Sequence, residues 1–156
     1  VSKGDDGGLR PLFRANIPQF FWTTIETGMT TQGVPDSNYL SPRGQEGWIE
    51  YKAARHWDVT LRPEQIAHLE RRARHGGRVW IGVRRDVRGG PRSGAADELW
   101  LIPGALARQA RLGGLRDPEV ARRAHYWAGG PSRWDWTEVA GLLCQPPNAK
   151  GTPRGP

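Results

Sequence analysis

Apolar positions in the first half of the chain switch between helical and strand spacing. Leu12, Phe13, Ile17, Phe20, Phe21 and Ile25 recur at intervals of three and four. This predicts a helix from Leu9 to Ile25, kinked near Pro18, with Glu26 at its end and Gly28 as its stop. Val34–Tyr39 and Trp48–Ala53 read as two strands joined by the turn cluster Ser41-Pro42-Arg43-Gly44. Pro63, followed by Ile66, Leu69 and Ala73, opens an amphipathic helix that stops at Gly76-Gly77. Arg78–Val83 is a short apolar run bounded by glycines and arginines, hence a buried strand. A helix between two strands predicts a crossover with parallel pairing.

The second half is less regular. Residues 84–97 are charged and glycine-rich, which predicts a flexible basic loop carrying Arg84, Arg85, Arg88 and Arg92. Strand character resumes over Glu98–Ile102 and stops at Pro103-Gly104. Helices are expected over Ala105–Leu112, over Pro118–Tyr126 with Asp117 as N-cap, and over Trp134–Leu143 with Asp135 near the cap. Trp134 and Trp136, two apart, cannot share one face of a helix. Trp48, Trp80 and Trp100 fall in strands as core or half-buried residues. Residues 1–8 and the proline-rich 145–156 predict disordered ends around a single domain over 9–144. The fold class is α/β, a mixed central sheet flanked by helices.

Composition narrows the function. With 156 residues the chain is long enough for a core, and Lys+Arg 23 against Asp+Glu 16 leaves a net charge of +7, which favours a polyanionic partner. One cysteine, Cys144, excludes an intramolecular disulfide framework and a multi-cysteine zinc site; a small buried hydrophobe in a reducing compartment is expected. No apolar run approaches the ~18 residues of a membrane span and no signal-peptide pattern opens the chain, so no membrane partner and a cytoplasmic location are expected. There is no phosphate-binding Walker loop, nucleophile elbow or dinucleotide fingerprint. His56, His68, His75 and His125 form no metal spacing with an acid.

The candidate chemistry lies between Trp22 and Lys52. Successive strand residues point to opposite faces, so Glu50 and Lys52 share one face and Tyr51 takes the other. Val34 precedes a proline and is pushed toward extended backbone, making Pro35-Asp36 the entry to a neighbouring strand. Asp36 and Glu50 on paired strands would offer two hard oxygen ligands beside an ammonium, a set suited to a divalent ion and phosphodiester hydrolysis. A carboxylate in the apolar strand of Glu50 is costly unless paired or ligating.

Pro35-Asp36 and Glu50-Tyr51-Lys52 resemble the two halves of the PD-(D/E)XK nuclease motif. Ile25-Glu26-Thr27-Gly28, Gly33-Val34-Pro35-Asp36, Gly47-Trp48-Ile49-Glu50-Tyr51-Lys52 and Leu61-Arg62-Pro63-Glu64-Gln65 resemble small phage-encoded nucleases related to the VRR-NUC and Holliday-junction-resolvase-like branches. The resemblance covers roughly residues 10 to 104. It implies a restriction-endonuclease-like core and a DNA endonuclease dependent on Mg²⁺ or Mn²⁺. Asp36, Glu50 and the Tyr51 backbone carbonyl would hold the ion, Lys52 would assist, Glu26 would act through water, and Gln65 would touch the site. Arg62 and Arg72, with the arginines of the basic loop, are the candidate DNA grips. Branched DNA and a homodimer follow from the resolvase-like branch alone, and the host cytoplasm from a phage origin. The competing class is a non-catalytic DNA-binding or packaging accessory protein that keeps the nuclease fold.

Overall fold

A computed structural model describes residues 6–26, 32–87 and 96–146. The element order is α1 (Leu9–Asn16), β1 (Phe21–Thr24), β2 (Ser37–Leu40), β3 (Glu46–Ala54), α2 (Pro63–Arg74), β4 (Arg78–Val87), β5 (Ala96–Pro103), α3 (Ala107–Gly113), α4 (Pro118–Arg123), β6 (His125–Trp127) and α5 (Trp136–Cys144), with short 3-10 turns before α3 and α4. The six strands form one mixed sheet in sequence order. Among the described strands only β3 and β4 pair in parallel, and α2 bridges them as the periodicity predicts. The fold is α/β, and among the described residues no helix is long and apolar enough to cross a membrane.

Strand alternation divides the core in two. Ile49, Tyr51, Leu99 and Leu101 point to one face, where they bury Leu9 and Phe13 of α1 and Val139 and Leu143 of α5. Ile81, Val83, Trp100 and Ile102 point to the other, against Ile66 and Leu69 of α2, Ala107 and Ala110 of α3 and Val120 of α4. Trp48, Glu50 and Lys52 belong to this second face by parity with Ala54. Beyond α2, toward the β1 edge, this face is open: Phe21 is 70% and Leu40 39% exposed.

Several predicted elements end elsewhere. The helix expected over 9–25 stops at Asn16, and residues 21–24 form β1, paired antiparallel with β2. Pro18 prevents continuation, and the aromatic and β-branched run Phe20–Ile25 favours a half-buried sheet edge. The strand expected from Val34 begins only at Ser37, which leaves Asp36 as the bend residue at its mouth. β4 extends through Arg84 and Arg85 to Val87, so the start of the predicted flexible loop is ordered ladder paired with β5. Arg88 and Arg92 lie outside the described residues. The helix at Pro118 ends at Arg123, with Asp117 capping it as expected, and His125-Tyr126-Trp127 closes the sheet as β6. Trp134 lies in the turn before α5, so both it and Trp136 pack into the first core, their rings 5.7 Å apart. Asp6–Gly8 and Gln145–Pro146 are placed, and the rest of the predicted disordered ends lies outside the described residues. Cys144 is half-buried at the end of α5 rather than fully enclosed.

Candidate active site

Asp36 and Glu50 come together through strand register. In the β2–β3 ladder Ser37 sits opposite Ile49, so one further step sets Asp36 opposite Glu50 on the same face. The Tyr51 amide donates to Asp36 Oδ2 at 2.9 Å, fixing the carboxylate across the mouth of β3. Gly33 permits this entry. Its φ is +87°, and a Cβ there would lie 2.5 Å from the Glu64 carbonyl in the first turn of α2. The segment leading to Asp36 therefore packs directly on the helix that carries Gln65.

Glu50 is 2% exposed and Gln65 5% exposed. Gln65 Oε1 accepts from the Arg62 amide at 2.9 Å, as the side chain of a capping box does, and from Lys52 Nζ at 3.3 Å. With that oxygen occupied, Gln65 Nε2 points at Glu50 and donates to Oε1 at 2.7 Å. Lys52 Nζ lies 3.2 Å from the same Glu50 oxygen. Glu50, Lys52 and Gln65 thus form a closed triangle, with Asp36 alongside.

Burial pushes the Glu50 carboxyl up to about 7, and repulsion from Asp36 adds to this against the opposing pull of Lys52. Burial likewise raises Asp36, opposed by the Tyr51 amide, Arg10 and Lys52. Two carboxylates that disfavour each other's charge in a partly dry site are a donor set a divalent cation would relieve. The residues therefore fit such an ion, with the Tyr51 carbonyl on the same stretch of backbone as a third hard oxygen.

Arg10 is a site residue that sequence reasoning missed. It reaches from α1 with its guanidinium 3.5 Å from Asp36 Oδ1, and its buried Nε has no hydrogen-bond partner. Its only sequence signal is a place beside the buried Leu9 in the first turn of α1.

Other expected site residues stand apart. Glu26 does not end a helix; it follows β1 and is exposed. The change follows from β1 replacing the second half of the predicted helix. Among the described residues no three of His, Cys, Asp and Glu gather as metal ligands. Arg62 is exposed beside Glu64, 3.6 Å away. Arg84 and Arg85 are not on a mobile flap. Arg84 makes a two-bond pair with Asp97 at 2.9 and 2.8 Å, and Arg85 lies 3.1 Å from Glu98 with its guanidinium 3.6 Å from the Trp57 ring centroid. Arg72 sits on α2 with its guanidinium 4.2 Å from the centre of Trp48.

Neither family models nor curated proteins match this chain.

Proposed function

We propose that the protein is a DNA endonuclease with a restriction-endonuclease-like core, hydrolysing phosphodiester bonds with Mg²⁺ or Mn²⁺ in the cytoplasm. The observation that carries this reading is Asp36 set opposite Glu50 on adjacent strands, with Lys52 on the same face two residues on. Asp36, Glu50 and the Tyr51 carbonyl would hold the ion. When bound, a divalent cation supplies positive charge that polarises a phosphodiester and acidifies water.

The chain's own residues do the positioning. Gln65 fixes the rotamer of Glu50, and the Tyr51 amide fixes Asp36. Lys52 holds an ammonium beside this pair, where it can donate to a phosphoryl oxygen as negative charge develops. Arg10 keeps a second cation beside Asp36. Burial of Glu50 against α2 keeps water from screening these charges. Glu26, exposed after β1, would act on the ion through intervening water. Resolution of a four-way junction would call for two copies related by a two-fold axis, because two strands must be cut symmetrically.

The test is cleavage of supercoiled plasmid, a four-way junction, a flap and a linear duplex with Mg²⁺ or Mn²⁺. Cutting that stops in EDTA and in Asp36→Asn is expected. Cutting that survives both would overturn the mechanism. Salt-dependent binding without cutting under either metal would leave the accessory DNA-binding protein as the reading.

A further inference from the structure

Seven of the seventeen described arginines are neutralised by a carboxylate, and Arg71 and Arg72 belong to the ten that are not. Arg10, Arg62, Arg74, Arg84, Arg85, Arg108 and Arg122 each have one within ion-pair distance. Arg71 and Arg72 have none among the described residues. Both line an open pocket of about 480 Å³ with His68, His75 and Gly77.

Arg72 is nonetheless held in place. Its guanidinium lies over the Trp48 indole at 4.2 Å, and its Nε donates to His68 Nε2 at 2.9 Å. Burial, then the charges of Arg72 and Arg71, keep His68 below its ordinary pKa, which suits a neutral ring accepting that bond. Basic residues at a helix C-terminus often serve only to satisfy its last carbonyls. Here backbone amides do that: His75 N–H donates to Arg71 O at 3.1 Å, Gly76 N–H to Ala73 O at 3.0 Å, and Gly77 N–H to Arg72 O at 2.9 Å. The terminal nitrogens of Arg72 are left as oriented cationic donors with no anion among the described residues.

The position matters as much as the charge. Residues seven apart on a helix share a face, so Arg72 lies on the stripe of Gln65, about 10 Å further along α2. On the strand beneath, Trp48 lies two residues from Glu50 on the same sheet face. The wall and the floor thus both run from the Glu50–Gln65 triangle toward Arg72, beside the open face of β1 and β2. Successive phosphates of a strand lie about twice the 3.4 Å axial rise apart, so about 10 Å spans one to two phosphate steps.

We propose that the pocket at Arg72, Arg71, His68 and His75 is a subsite for a nucleic-acid backbone phosphate, one or two nucleotides from the bond at Asp36 and Glu50. Arginine suits it because a planar fork can stack on an indole and still present paired donors to phosphate. The inference rests on the nucleic-acid reading above, yet it can be tested without cleavage.

The experiment titrates a labelled duplex oligonucleotide in EDTA over a range of NaCl concentrations. Arg72→Gln should weaken binding about tenfold and flatten the salt slope by about one unit, in a protein that still melts cooperatively. Arg72→Lys should keep the slope while losing part of the affinity, and Arg74→Gln, already paired with Glu70, should change affinity by less than about twofold. Unchanged affinity and slope in a folded Arg72→Gln protein overturns the subsite, even if the protein cuts DNA. Stabilisation of the wild type by inorganic phosphate, lost in Arg72→Gln with no change in oligonucleotide affinity, also overturns it in favour of a free-anion site. Arg72-dependent DNA binding with no cutting under Mg²⁺ or Mn²⁺ upholds the subsite and removes the nuclease.

Discussion

Two places on the sheet hold buried or half-buried charge, and they are built differently. At the β4–β5 end each cation has a close anion: Arg84 grips Asp97 through two bonds, and Arg85 meets Glu98 at 3.1 Å. Glu98 also accepts from the Trp100 indole at 3.0 Å and the Tyr126 hydroxyl at 3.3 Å. At the mouth of β2 and β3 the cations hold their anions less directly, with Lys52 3.2 Å from Glu50 and shared with Gln65, and Arg10 3.5 Å from Asp36. Carboxylates face each other in both places, but Asp97, opposite Asp86, is held by two bonds from Arg84, whereas Glu50, opposite Asp36, is driven up to about 7. A saturated network of buried charge serves the fold, since every group has its partner. A site in which like charges adjoin costs stability, and the divalent cation proposed above would relieve that cost.

The largest expected difference between the two places is in activity. Asp36→Asn should lower single-turnover DNA cleavage by at least about a thousandfold. Arg85→Ala should leave cleavage per folded molecule nearly unchanged. A similar loss in both would erase the distinction. In denaturant unfolding the order reverses. Arg85→Ala should cost about 3 kcal/mol, because it strands Glu98 at 6% exposure. Asp36→Asn in EDTA should be neutral or stabilising, since it relieves repulsion on Glu50.

The pH dependence sharpens the comparison further. The native Glu50 carboxyl binds its proton more tightly than the unfolded one, whose value is 4.5. Its contribution to stability is therefore complete below pH 4.5 and lost as pH rises toward about 7. The loss amounts to at most about 3 kcal/mol. Glu50→Gln should remove that part of the slope in EDTA, and identical slopes for wild type and variant would contradict the raised value. A smaller effect, about 2 kcal/mol, is expected for Gly33→Ala, from its positive φ and the clash with the Glu64 carbonyl. Cleavage should fall with it, because Asp36 and Gln65 are brought together across that contact.

The β3–α2–β4 unit was legible in the sequence because its signals are local. Alternation fixes the faces of Glu50, Tyr51 and Lys52, Pro63 opens α2, and Gly76-Gly77 close it. Asp36 was legible through Pro35, although register with Glu50 had to be assumed. The errors came where long-range partners decide. Phe20–Ile25 fits helix or strand by spacing, and only pairing with β2 makes it a strand, which moved Glu26 off a helix end. Arg84 and Arg85 read as loop residues because Asp97 and Glu98, which neutralise them across the ladder, lie 13 residues away. Arg10 gave no warning, since its partner Asp36 comes from a distant segment. The stacking of Arg72 on Trp48 was hidden likewise, although Arg72 itself stood out as a basic residue.

The central claim, that Asp36 and Glu50 form an incomplete site for a divalent cation, is tested most directly by thermal melting with and without Mn²⁺ at pH 6 and pH 8. Wild type should gain stability from Mn²⁺, and gain more at pH 8, because Glu50 must lose its proton to bind the ion. Asp36→Asn and Glu50→Gln should each lose most of that gain while melting no lower than wild type in EDTA. A Mn²⁺ response of the same size in wild type and both variants would contradict the account.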